Sequence, residues 1–133
     1  MGLLLVVEYD NNQRLLLQEA LEEEGYTVLS AANAEDALDS VRRIMPDLVV
    51  LAIHMPGMDG LELLGKLLAI NNRLPVVIHT AYAGYQDSFM SWSADAYILK
   101  QSDLSELKDS IHGILTAHGA SSAGYAVPQL QLA

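Results

Sequence analysis

The sequence predicts a doubly wound α/β domain, in which a five-stranded parallel sheet carries helices on both faces. Three observations lead there: short apolar runs recur along the chain, helical patterns separate them, and the connections are too long for hairpins. The runs are "LLLVV" (3–7), "TVLSA" (27–31), "LVVLAI" (48–53), "PVVIHT" (75–80) and "AYIL" (96–99). They are rich in Val, Ile and Leu and do not alternate with polar residues, which suits strands buried on both sides.

The helical segments follow in order. Residues 12–24 place Leu16, Leu17, Ala20 and Leu21 on one side, with Gly25 as the stop. "NAED" at 33–36 offers an Asn cap with acids in the first turn, and Pro46 bounds that helix at its far end. A third helix is expected over 61–70 and a fourth over about 83–93. The fifth carries Leu104, Leu107, Ile111 and Ile114 at helical spacing, with Ser102 or Asp103 as its cap. "LEEEGY" (21–26) is an acidic helix end with a solvated face. The tail "AHGASSAGYAVPQLQLA" (117–133) has no charged side chain of the Lys, Arg, Asp or Glu kind and reads as a linker. The organisation expected is one domain over 1–117 and a flexible tail over 118–133, with no internal repeat.

Composition narrows the function classes. At 133 residues with 51% apolar and 18% charged, the chain holds one sizeable core. With 17 acids against 7 bases it carries a net charge of -10, which repels a polyphosphate backbone, so no nucleic-acid partner is expected. The lack of cysteine excludes thiol catalysis and disulfides and suits a cytoplasmic setting. No apolar stretch approaches a membrane span, and "MGLLLVVEYD" has no basic region ahead of its apolar run, so neither a membrane partner nor a secretory signal is expected.

In a sheet of this kind, chemistry collects at the carboxyl ends of the strands. Those ends carry Glu8-Tyr9-Asp10, Ala52 to His54, Thr80-Ala81 and Lys100. An acid, a hydroxyl and an ammonium brought together make a polar pocket. The same residues are equally at home as solvated groups at a sheet edge, and spacing alone leaves both readings open.

The chain resembles the receiver domain of bacterial two-component response regulators from Leu3 to about Leu115. "VVEYDNNQRLLLQEALEEEGYTVLSAANAEDAL", "MPDLVVLAIHMPGMDGLELL", "PVVIHTAY" and "ADAYILK" carry the resemblance in the family's order. It implies the flavodoxin-like receiver fold with five helices and strand order 2-1-3-4-5. In that family an Asp ending the third strand accepts a phosphoryl group, and an acidic pair after the first strand holds Mg²⁺ with it. A Thr or Ser and a Lys bind the phosphoryl oxygens.

Against that pattern Ala52 stands at the phosphoacceptor position and offers no oxygen. Glu8 matches the first acid of the pair, but Tyr9 stands at the second, and a neutral phenol is a poor ligand for a hard cation. The family's Mg²⁺ site is therefore expected lost, with no cofactor in its place. Thr80 and Lys100 are retained, and Tyr97 matches the aromatic that changes rotamer on activation. Gln101 replaces the Pro that usually follows the Lys, and with it the preference for a cis peptide.

The remaining polar residues have simpler readings. Lys100, left without its usual partner, is expected to pair with Glu8, to bond a carbonyl near Ala52 or to retreat toward water. The Tyr9 ring is expected to cover Ala52. Asp10 lies outside the direct metal shell in the family, and Asp59 of "GMDG" caps the third helix. His54, His79, His112 and His118 are scattered and form no metal-ligand pattern. Tyr82, Tyr85, Phe89 and Trp92 make one stripe along the fourth helix. Part of it is core. Tyr85, Phe89 and Trp92 beside Tyr97 are candidates for the face of the fourth helix, fifth strand and fifth helix that receivers use for partners.

The expectation is a receiver without a phosphorylation site, or pseudo-receiver. It would act as a phosphorylation-independent protein-interaction or dimerisation module and have no enzyme activity. Its partners would be a histidine kinase, an output domain or another receiver, with a homodimer through the face just described. One alternative is an ordinary receiver carrying an inactivating Asp-to-Ala change. The other is a flavin- or nucleotide-binding enzyme on the same scaffold, which "EYDNNQ" disfavours for want of a glycine-rich phosphate loop.

Overall fold

The computed structural model describes residues 2–81, 84, 93–101 and 103–118. Its elements run β1 (Leu3–Val7), α1 (Asn11–Glu23), β2 (Thr27–Ala31), α2 (Ala34–Arg43), β3 (Leu48–Leu51), α3 (Gly60–Ile70), β4 (Val76–Thr80), β5 (Ala96–Leu99) and α4 (Ser105–His118). The five strands form one sheet in the order β2-β1-β3-β4-β5. All neighbouring pairs are parallel, with Leu5 opposite Leu29 and Val49, and Thr80 opposite Leu99. Four helices lie among the described residues. The helix expected over 83–93, with Tyr82, Tyr85, Phe89 and Trp92, lies outside them, as do 119–133. α4 extends through His118, one residue into the segment expected as tail.

Period-two alternation explains why the strand sequences do not alternate in polarity. Leu5, Val7, Val49, Leu51, Val76 and Ile78 point to one face, where they meet Leu38 and Val41 of α2 and Leu63, Leu64 and Leu67 of α3. Leu4, Val6, Leu48, Val50, Val77 and Ile98 point to the other, against Leu17 and Leu21 of α1 and Leu107, Ile111 and Leu115 of α4. Each side has its own dry core, so most positions of the inner strands are apolar, while Thr27 and Ser30 of the edge strand β2 are exposed. In α1 the expected apolar side is corrected at one position. Leu17, Ala20 and Leu21 are buried, but Leu16 is 57% exposed, because the helix is turned to seat Leu17 on the sheet.

The helix ends follow their sequence signals. Asp10 caps α1 by accepting from the Gln13 amide at 2.9 Å. Asn33 caps α2 through the Asp36 amide at 2.8 Å, with Glu35 and Asp36 at the positive end and Arg42 and Arg43 at the negative one. Asp59 accepts from the Glu62 amide at 2.9 Å to open α3, the capping role expected of it. Ahead of α4, Asp103 accepts from the Ser105 amide at 2.8 Å. Gly25, after α1, sits at φ 101°, where a side chain would be strained.

One boundary differs from expectation. The apolar run 48–53 continues past the strand, since β3 ends at Leu51 while Ala52 and Ile53 stay buried. The cause is α3. Its first residue, Gly60, donates to the Ile53 carbonyl at 2.8 Å and lies so close that a Cβ there would stand 2.0 Å from the Ala52 oxygen. The start of α3 therefore rests on the main chain of residues 52 and 53.

Candidate functional site

Parallel strand ends converge at one edge of the sheet, and the backbone holds them in register beyond the last strand residue. The Ala52 amide donates to the Val7 carbonyl at 3.0 Å, Glu8 to Ala31 at 3.1 Å, and Lys100 to Thr80 at 2.7 Å. Glu8, Ala52, Thr80 and Lys100, scattered along the sequence, thus become neighbours. Chain topology, rather than local sequence, builds the site.

Its central contact is an ion pair. The Lys100 ammonium stands 2.7 Å from Glu8 Oε1, as expected for an ammonium lacking its usual acceptor. Glu8 Oε2 accepts from the Asp10 amide at 3.1 Å, so both carboxylate oxygens are engaged. The carboxylate is the deeper partner, with side-chain exposure of 5% against 23% for Lys100. Arg14 of α1 closes over the same turn and donates to the Glu8 carbonyl at 2.8 Å and the Tyr9 carbonyl at 3.2 Å.

The other predicted residues fall as follows. Ala52 and Thr80 are buried at the ends of β3 and β4. Tyr97 is half-buried and packs against the core on the α2–α3 side. His54 is exposed. Tyr9 is 55% exposed and projects outward, which corrects the expectation that its ring would seal the strand ends. Ala52 is buried all the same, with its carbonyl against the start of α3. Asp10 is spent on capping α1. No cis peptide bond occurs among the described residues, Lys100–Gln101 included.

These donors do not fit the Mg²⁺ that the family resemblance implies. A hard cation wants several carboxylate oxygens converging on one point. Here Glu8 is committed to Lys100, Tyr9 points away, and Ala52 supplies no side-chain oxygen. Among the described residues no group of three or more His, Cys, Asp and Glu side chains is arranged to hold a metal.

His79 is the group that sequence reasoning undervalued. It is 5% exposed, and its Nδ1 has no hydrogen-bond partner. Burial lowers its pKa to about 4; the nearby Lys100 charge acts in the same direction and Glu8 opposes it, so the ring is neutral at pH 7. The signal was legible: in "VVIHT" His79 shares a face with Val77, which places an imidazole where its neighbours require an apolar residue. Beside it an open cleft of about 390 Å³ runs between α1, the ends of β4 and β5, and Leu104.

The chain belongs to the response regulator receiver domain family, which it matches over residues 4–112. It is 37% identical over 111 residues to sporulation initiation phosphotransferase F of Bacillus subtilis, covering 81% of this chain and 89% of that one. It is 34% identical over 114 residues to the two-component response regulator PhoP of Pseudomonas aeruginosa, covering 84% of this chain but only 51% of that protein. Among solved structures, it superposes on response regulator protein TrrA from Thermotoga maritima in complex with Mg(2+)-BeF with a TM-score of 0.84 at 39% identity, covering 86% of this chain and all of that one. The same regulator in complex with histidine kinase ThkA gives 0.82 at 39% identity, covering 86% of this chain and 99% of that one. The chain is therefore a receiver domain of two-component signalling, with the sheet order expected for it. Among the described residues no helix is long and apolar enough to cross a membrane.

Proposed function

We propose that this receiver transmits signals through protein contacts without phosphorylation at position 52. The observation that carries the reading is the pairing of Lys100 with Glu8 at 2.7 Å beside an alanine where the family's acceptor stands. An acylphosphate needs an acceptor carboxylate, a metal to neutralise charge during transfer, and a free ammonium to hold the product. Position 52 lacks the first, Tyr9 stands in place of a ligand for the second, and Glu8 already occupies the third. The site is held in one state by its own ion pair and does not act as an enzyme.

Its partners on this reading are proteins: a histidine kinase, an output domain or another receiver. The complex of TrrA with a histidine kinase supports that class. So does α1, where Leu15 and Leu16 are 56% and 57% exposed next to the strand ends. A homodimer would use the face around Tyr97. The bacterial relatives support a bacterial, cytoplasmic setting. An ordinary receiver inactivated by a single Asp-to-Ala change is the second reading; Tyr9 counts against it, because one inactivating change needs no second.

Incubation with Mg²⁺ and acetyl phosphate, followed by intact-mass measurement, tests the proposal. An unchanged mass is expected. A stoichiometric phosphoryl adduct on any residue at the strand ends overturns it.

A further inference from the structure

We infer that the open edge of the sheet at β2, with the flank of α2 beside it, is an interface for a second copy of this chain. The two β2 strands pair antiparallel about a twofold axis through Leu29. This edge lies at the far side of the sheet from β5 and Tyr97, and the inference holds whichever way the phosphorylation test falls.

The backbone of β2 is only half engaged. The Thr27 amide donates to the Gly2 carbonyl at 3.1 Å, and the Ala31 carbonyl accepts from the Glu8 amide at 3.1 Å. Thr27, Leu29 and Ala31 therefore turn their polar groups toward β1, while Val28 and Ser30 turn theirs past the end of the sheet. Such an edge is a template for another strand unless charge, proline or a bulge blunts it. "TVLSA" has no charge and no proline, and its register with β1 is unbroken from Thr27 to Ala31. An axis through Leu29 sets Val28 of one copy opposite Ser30 of the other as hydrogen-bonded pairs. The two Leu29 side chains then face each other between them.

The surface beside the edge is apolar and self-complementary. Leu29 and Ile44 line a groove of about 260 Å³ with Ser40 and Arg43. Ile44 is 55% exposed and Met45 42%, so large apolar side chains stand in water next to an unpaired strand. Asp36, Ser40 and Arg43 recur at helical spacing and share the side of α2 that borders the groove. Asp36 lies in the first turn and Arg43 in the last, so an antiparallel copy brings Asp36 of each chain toward Arg43 of the other. A parallel copy would set like charge against like. On the other face of the sheet, Glu22 and Glu23 end α1, and the same rotation carries the two acidic ends apart. A second copy thus supplies the strand, the apolar surface and the opposite charges at once.

The chain has no cysteine, so one introduced thiol reports the contact. Leu29→Cys should give a disulfide-linked dimer under mild oxidation, because opposed residues of a non-hydrogen-bonded antiparallel pair hold their Cα atoms about 4.5 Å apart. Lys66→Cys, exposed on α3, should not. Sedimentation velocity of the full chain should show a monomer–dimer equilibrium with a Kd on the order of 0.1 mM, as suits a small interface. Arg43→Glu, Asp36→Arg and Ile44→Asp change exposed residues, and each should weaken the dimer at least about tenfold. An equimolar mixture of Arg43→Glu with Asp36→Arg should recover it, since only the mixed pair sets opposite charges together at both contacts. A monomer at every concentration up to about 1 mM overturns the inference. So does a dimer that Arg43→Glu leaves unaltered, which would place the contact on another face. Cross-linking of Leu29→Cys no faster than Lys66→Cys, or no recovery in the mixture, overturns it as well.

Discussion

Removing either member of the Glu8–Lys100 pair should destabilise the domain unequally, with the lysine change the more costly. Glu8 is the deeper partner, its side chain 5% exposed against 23% for Lys100. Lys100→Met strands a buried carboxylate whose remaining bond is the Asp10 amide at 3.1 Å, and should cost about 3 kcal/mol, near the lower end for a broken buried pair. Glu8→Gln keeps the shape and leaves a carbonyl for the Asp10 amide. The ammonium it abandons can turn toward water, so the cost should be about 1.5 kcal/mol, between surface and buried values. The double variant removes both charges and should fall short of the summed losses by about 2 kcal/mol, which is the coupling. Urea unfolding at pH 7 reads all three. With a slope of about 1–3 kcal/mol/M for a small domain, Lys100→Met should lower the midpoint by roughly 1–3 M. A coupling below about 0.5 kcal/mol, or Glu8→Gln costing more than Lys100→Met, would refute the account of which partner the pair protects.

Further outcomes are expected elsewhere in the molecule. His79 has its pKa lowered from 6.5 to about 4, so its protonation favours the unfolded chain. Stability should be full above pH 6.5, fall by on the order of 3 kcal/mol as the pH drops toward 4, and lose nothing more from this group below that. Unfolding curves of His79→Phe over the same range should lack this component, and an identical pH profile would contradict it. Gly60→Ala should cost about 3 kcal/mol or more in urea unfolding, since the new Cβ would stand 2.0 Å from the Ala52 oxygen; a neutral result would mean α3 shifts freely. Restoring two carboxylates with Tyr9→Asp and Ala52→Asp together should bring back Mg²⁺ binding by calorimetry and slow phosphorylation by mass. A folded double variant with neither would show that the site has diverged beyond those residues, at Gln101 first.

Fold and site were legible to different depths for a physical reason. Parallel strands buried on both faces leave a strong local imprint, and so do capping residues such as Asn33 and Asp59, because each acts through neighbours in the sequence. The Glu8–Lys100 pair was legible once the topology was known, since charge and burial leave an ammonium little choice. Tyr9 was misjudged because an aromatic just past a strand end carries no local signal that says whether its ring turns inward or to solvent. Leu16 was misjudged because a helix with apolar residues at successive positions does not specify its rotation to within one residue. The cleft beside His79 arises from packing between distant elements, and only the misplaced imidazole in an otherwise apolar strand gave notice of it.

The seat of α3 on Ala52 and Ile53 also bears on how such a site can drift. The close approach is made by Gly60 to main-chain atoms, and the Gly60 amide bonds to the Ile53 carbonyl at 2.8 Å. Every amino acid brings the same carbonyl, so the joint is indifferent to the side chain at 52 and strict about the one at 60. A lineage can discard the reactive group at such a position and keep the architecture that once served it, because chemistry and masonry are written in different atoms. Mutational scanning for folded protein should accordingly find broad tolerance among small residues at 52 and almost none at 60.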